Sequence, residues 1–241
     1  MSPPSAALTL GDDALVLSHR LAQWAGHAPV LEEEVALANI ALDLLGQARV
    51  LLSLAGDEDE LAYLREERAF RNVQLVEQPN GDFARTIVRQ LYFSTYQELL
   101  LGALAAGPGT GPEPLRELAA KAVKEVAYHR DHATHWTLRL GDGTQESHDR
   151  AQHAVNALWR FTGELFSPVE GLSLDWDGLR TDWLGSINET LTRATLTVPD
   201  GIPDADAWTA GAGRQGIHTE SFGPMLAEMQ HLHRSHPGAS W

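Results

Sequence analysis

The chain has 241 residues, 43% of them hydrophobic and 21% charged, which are the proportions of a globular protein able to bury one sizeable core. A net charge of −15 argues against binding to nucleic acid or to an anionic membrane surface, and the absence of cysteine excludes disulfides, thiolate metal sites and cysteine nucleophiles. The sequence has no apolar run long enough for a membrane span and no secretory signal at its N-terminus, so we expect a cytoplasmic protein without membrane contacts.

Apolar residues recur at helical spacing along nearly the whole chain, with Gly- and Pro-rich breaks between the periodic segments. Asp82 precedes one of these segments and is predicted to cap its N-terminus. The predicted helices cover residues 12–24, 31–56, 58–70, 83–106, 114–140, 146–166, 176–193 and 223–233. Because helices do not alternate with strands, this order predicts an all-α antiparallel bundle with additional short helices and a small irregular C-terminal segment.

The helix predicted at residues 31–56 is apolar on nearly every face, which predicts burial on all sides within a bundle. Its main polar interruptions are Asn39, Asp43 and Gln47, which are four residues apart and therefore share one stripe. A buried carboxylate is costly unless it is paired, so we expect Asp43 to be buried against a cationic partner. The candidate partners are Arg85, Arg89 and His129.

Helical bundles with a di-iron centre carry acid-x-x-His pairs on such a stripe. Here the tetrapeptide reads Asp43-Leu44-Leu45-Gly46, so the acid is present without its histidine. In the helix predicted at 114–140, His129 lies on the apolar stripe with Val126 one turn before it, and the nearby Glu125 points to another side. One helix therefore keeps an acid without its histidine, and the other keeps a histidine without its acid.

Two further histidine patterns have simpler interpretations. Glu228-Met229-Gln230-His231 does have the acid-x-x-His spacing, but it lies near the C-terminus, has no second copy and occurs in a chain with 11 histidines. His129, His132 and His135 spread over a wide arc of one helix. We interpret them as a core histidine held by hydrogen bonds and two histidines on a solvated flank.

Six segments, in matching order, make the sequence resemble the PaaC family, a subunit of the multicomponent phenylacetyl-CoA epoxidase. They are LGDDALVLSHRLAQWAGHAP, ALANIALDLLGQAR, VEQPNGDFA, KAVKEVAYH, ALWRFTGELF and GIHTESFGPMLAEMQHL. The resemblance implies a ferritin-like fold, with residues 1–241 as a single domain. At the positions of the acid-x-x-His pairs in the homologous catalytic chain, this chain has Asp43 with Gly46 and Val126 with His129. We therefore expect these four residues to mark a degraded di-iron site, and we expect no catalytic, cofactor-binding or metal-binding residue in this chain.

The role that the resemblance implies is that of a non-catalytic structural and regulatory subunit in aerobic phenylacetate degradation. Its main partner is a homologous catalytic di-iron subunit, which epoxidises phenylacetyl-CoA with dioxygen. Electrons come from a separate reductase with FAD, an iron–sulfur cluster and NADPH. The expected partners are this di-iron subunit, the other epoxidase and reductase subunits and, for the isolated chain, a second copy in a homodimer.

Two alternatives stay open at this level. The chain would be an autonomous ferritin-like, metal-dependent oxidase if Asp43 and His129 served as unusual ligands, or a general helical adaptor without any connection to oxygenases. The surface that contacts a partner is expected in the aromatic-rich segments 159–166 and 222–232, although core packing accounts for the same pattern.

Overall fold

The computed structural model describes residues 5–107, 109–201 and 213–239. The regular structure of these residues is entirely helical, which confirms the predicted all-α class. They fall into two compact units: unit 1 contains the described residues up to Pro79 and from Gly213 onward, and unit 2 contains Asn80 to Gly201. The α-helices are α1 (Ala6–Ala22), α2 (Leu31–Ala55), α3 (Phe83–Ala105), α4 (Glu113–Gly141), α5 (Gln145–Trp159), α6 (Trp176–Arg193) and α7 (Phe222–Ser235).

In unit 1, α1 and α2 pack as a close antiparallel pair. Gly11 lies so near α2 that a side-chain carbon at this position would be 3.0 Å from the Leu52 side chain. Further along the pair, the Ser18 hydroxyl donates a buried hydrogen bond of 2.7 Å to the Ala41 carbonyl oxygen. Because the later residue of α1 meets the earlier residue of α2, the two helices run in opposite directions.

One face of α2 is exposed, so the prediction that this helix is buried on all sides was wrong. Its buried face, which includes Leu37, Ile40 and Leu44, forms core. Its opposite face presents large apolar side chains to solvent. By length and apolarity α2 also reaches the dimensions of a membrane-spanning helix, which corrects the expectation that no segment does so.

Helix boundaries are confirmed where a local signal fixes them. Asp82 caps α3 as predicted, since its carboxylate accepts a hydrogen bond of 2.9 Å from the Arg85 N–H. α1 begins earlier than predicted, because the Ser5 hydroxyl caps it by accepting from the Leu8 N–H at 3.2 Å. Of the irregular segment predicted before the last helix, residues 202–212 lie outside the described part of the chain.

The helix predicted at residues 58–70 is wrong. The chain instead forms a π-helical turn at Glu60–Leu64 and a 3-10 turn at Glu67–Ala69, and it stays irregular up to α3. In this stretch the N–H groups of Arg71 and Val73 donate to side chains of α1. Hydrogen bonds to a distant part of unit 1 thus replace the local bonds of a helix.

In unit 2, α3 is buried on nearly all sides, and α4, α5 and α6 pack around it. The core contains an aromatic cluster, in which neighbouring ring centroids lie 5.5 or 5.6 Å apart. Its members are Tyr92, Trp159, Phe166 and Trp183. α5 ends at Trp159 and not near residue 166, because the Thr162 hydroxyl takes the Trp159 carbonyl at 2.8 Å and a 3-10 turn follows at Gly163–Phe166.

Candidate functional site

The polar stripe of α2 does not form a buried seam. Asn39 is exposed, Asp43 is partly exposed and Gln47 is buried. Steps of four residues turn by about 40° more than one full helical turn, so the stripe winds from the solvent side into the core. The expected burial of Asp43 was therefore wrong. Gly46 is exposed, and a side-chain carbon added there would meet no atom within 4 Å.

Replacing Asp43 with alanine is accordingly expected to change the free energy of unfolding by less than about 1 kcal/mol, because partly exposed charges contribute little to stability. Urea denaturation followed by circular dichroism measures this change. Asp13→Ala is the matched variant, since Asp13 is a fully buried carboxylate of the same unit. A loss at Asp43 as large as the loss at Asp13 would contradict the exposure of this face of α2.

Val126 and His129 lie on the buried face of α4 in unit 2, as predicted, and Glu125 is exposed. The aliphatic Val126 offers no ligand atom one turn before the buried imidazole. His132 is partly exposed, and His135 is exposed, with its Nδ1 2.9 Å from a backbone oxygen of its own helix. The expected division into one core histidine and a solvated flank is confirmed.

The acid-x-x-His tetrapeptide of α7 lies on the surface of unit 1. Glu228 and His231 are both exposed, and the Glu228 carboxylate accepts a hydrogen bond of 3.2 Å from the Gln23 side chain. Throughout residues 5–107, 109–201 and 213–239, no three His, Asp or Glu side chains are grouped closely enough to hold a metal ion. The donor set that a di-iron centre requires does not fit the residues present at Gly46 and Val126.

The segments expected to contact a partner are mostly part of the chain's own core. Most large apolar side chains in residues 159–166 and 222–232 are buried, and Leu232 is the exposed exception. Core packing, the second interpretation of this pattern, is therefore the correct one. The buried side chains are Trp159, Leu165, Phe166, Phe222, Met225 and Leu226.

Unit 1 contains a buried charge network that the sequence did not lead us to expect. Two adjacent carboxylates of α1, Asp12 and Asp13, are its centre, and both are fully buried. Asp12 receives the guanidinium of Arg65. Asp13 accepts from Arg214 Nη2 at 2.7 Å and from the Val73 N–H at 2.8 Å. Burial raises the pKa of both carboxyls, and the two arginines with the backbone N–H donors act against this rise.

A second part of the network is the Glu77–His218 pair, whose side chains are also fully buried. His218 Nδ1 lies 2.8 Å from Glu77 Oε2, and the Thr219 N–H donates to Glu77 Oε1 at 2.6 Å. Arg20 of α1 donates to the Glu77 carbonyl oxygen at 2.7 Å and to the Ser221 carbonyl oxygen at 3.0 Å. These bonds tie residues 71–77 and 213–221 to α1. We interpret the network as an anchor for irregular backbone.

The comparison with known proteins decides the family. A protein-family model described as "Phenylacetic acid catabolic protein", for PaaA and PaaC, matches residues 5–241. This chain belongs to that family. The chain is also similar to one of the named subunits of the 1,2-phenylacetyl-CoA epoxidase of Escherichia coli (strain K12), with 47% identity over 248 residues and 97% of each chain covered. The resemblance found in the sequence is confirmed, and the all-α architecture agrees with the ferritin-like helical bundle of the PaaA/PaaC family.

Three of the segments that indicated the PaaA/PaaC family build the charge network. The first contributes Asp12 and Asp13, the second Glu77, and the third His218. A signal for it was present in the sequence: two adjacent carboxylates within an otherwise apolar helix require buried partners. The identity of those partners was not predictable, because Arg214 is 201 residues from Asp13.

Proposed function

We propose that this chain is the non-catalytic structural and regulatory subunit of a phenylacetyl-CoA epoxidase complex in aerobic phenylacetate degradation. The observation that supports this role most directly is the similarity over 97% of the chain to a protein named as one subunit of the 1,2-phenylacetyl-CoA epoxidase. A separately named subunit implies a complex of several chains. In this proposal the partner is a homologous catalytic subunit that holds the di-iron centre, and a reductase with FAD, an iron–sulfur cluster and NADPH supplies electrons.

The non-catalytic part of the proposal is supported by side-chain chemistry. Two iron ions in a bundle need several carboxylates and two imidazoles as ligands. At the proposed positions of the degraded site, Gly46 has no side chain and Val126 has only methyl groups, so neither can bind a metal ion. Asp43 is partly exposed on α2, and His129 is buried in the core of unit 2. No step of the epoxidation is assigned to these residues.

The purified chain is expected to bind no stoichiometric iron and to have no epoxidase activity alone. Iron is measured after incubation with ferrous ions and desalting, and epoxidation of phenylacetyl-CoA is measured with and without the homologous di-iron subunit and its reductase. Activity is expected only when the di-iron subunit is present, and it should fall strongly when this chain is omitted.

Two results would contradict the proposal. Binding of about two irons per chain, lost on Asp43→Ala, would instead support the autonomous oxidase. Full activity of the di-iron subunit and reductase without this chain would remove the need for a partner subunit.

A further inference from the structure

The exposed face of α2 is an apolar surface on a chain that is otherwise strongly acidic. We define the α2 seam as Leu31, Val35, Ala38, Leu42 and Leu45. The exposed fractions of its four large side chains are 73% for Leu31, 52% for Val35, 62% for Leu42 and 36% for Leu45. Single exposed apolar residues are normal on a protein surface, but a continuous row of them marks a site of interaction.

The spacing within the α2 seam indicates what kind of surface fits it. Its residues follow one another in steps of four, three, four and three, which is the spacing along which two helices pack at a shallow crossing angle. The row extends for about 21 Å along the helix axis. The small residues Ala38 and Gly46 lie beside Leu42, and a side-chain carbon at Gly46 would meet nothing within 4 Å, so a second helix backbone can approach closely here.

Charges at the two ends of the α2 seam favour one direction for the second helix. Glu32 and Glu34 flank its N-terminal end, and Arg49 follows its C-terminal end. Arg49 is largely exposed, although it also pairs with Glu58 at 3.0 Å. A helix with a similar distribution of charges would place its acidic end beside Arg49 only if it runs antiparallel to α2.

Resting on the proposed function, we propose that the α2 seam is the surface that binds the homologous catalytic subunit, through the equivalent helix of that subunit in antiparallel orientation. Two subunits with one fold can pair about a pseudo-twofold axis, which brings equivalent helices together in that orientation. A second copy of this chain fits the seam less well, because it brings together two chains that each carry a net charge of −15. Such an interface also gives a reason for the apolarity of α2, which is covered by protein and not by lipid.

The test is binding of the tagged di-iron subunit to Leu42→Glu and Val35→Glu variants of this chain, measured by biolayer interferometry. Both residues are exposed, so the variants should keep the melting temperature of the unmodified chain. Affinity is expected to fall roughly thirtyfold or more for Leu42→Glu, because a charge at the centre of an apolar contact disrupts it. The matched control is Ile217→Glu, which changes an apolar side chain with 57% exposure outside α2 and should leave the affinity unchanged.

The other outcomes separate this inference from the proposed function. If the unmodified chain binds the di-iron subunit and Leu42→Glu binds equally well, the seam is not the surface and the proposed function stands. If the unmodified chain does not bind at all, the proposed function itself fails. The occupant is wrong if Leu42→Glu abolishes only a homodimer of this chain in size-exclusion chromatography, or only its co-flotation with phosphatidylcholine vesicles.

Discussion

Replacing Arg214 with alanine is expected to lower the free energy of unfolding by about 3–5 kcal/mol, because the variant leaves a buried carboxylate without its charged partner. Arg214 Nη2 lies 2.7 Å from Asp13 Oδ2, and both side chains are largely inaccessible to solvent. The same guanidinium donates to the carbonyl oxygen of Arg71 at 2.8 Å, so the variant also releases irregular backbone of unit 1. Urea denaturation followed by circular dichroism measures the loss.

The control for this prediction is Arg193→Ala. Arg193 pairs with Glu189 one turn earlier on α6, and both side chains are exposed, so its removal is expected to cost less than about 1 kcal/mol. Equal losses for the two variants would show that the buried network does not stabilise unit 1 more than a surface pair. Leu42→Glu, which leaves the network intact, serves as a second reference.

The largest effect in unit 2 is expected for Trp183→Ala, with a loss of about 3–5 kcal/mol. The indole of Trp183 is fully buried, and its ring centroid lies 5.6 Å from the rings of Tyr92 and Trp159 and 5.5 Å from Phe166. Its Nε1–H donates to the Tyr92 carbonyl oxygen at 2.9 Å. The variant therefore creates a large cavity and removes a buried donor.

Trp176→Ala is the matched control, since Trp176 lies in the first turn of the same helix and is partly exposed. Its expected loss is well below that of Trp183→Ala. Trp183→Phe separates the two contributions, because it keeps most of the packing and removes the hydrogen bond, which is worth about 0.5–1.5 kcal/mol. A loss for Trp183→Ala no larger than that for Trp176→Ala would contradict the central position of this cluster.

The sequence by itself determined the features that depend on near neighbours in the chain. Periodic apolar residues and local caps predicted α2, α3 and α6, including the hydrogen bond of Asp82 to the first turn of α3. The same periodicity placed His129 inward and Glu125 outward, because the side-chain directions of a helix follow from its geometry. Six ordered segments were also sufficient to indicate the family.

Only the tertiary structure decided which faces are covered and which distant groups meet. Apolar residues around all of α2 predicted burial on every side, but α1 covers one face and the α2 seam remains exposed within the chain. A sequence pattern records the apolarity of a surface and not whether the same chain or a partner covers it. Similarly, Asp13 indicated a need for a cation, while its pairing with Arg214 depends on the folding of residues 201 positions apart. The helix wrongly predicted at 58–70 has the same cause, since bonds to the carboxylates of α1 outweigh local helical hydrogen bonds there.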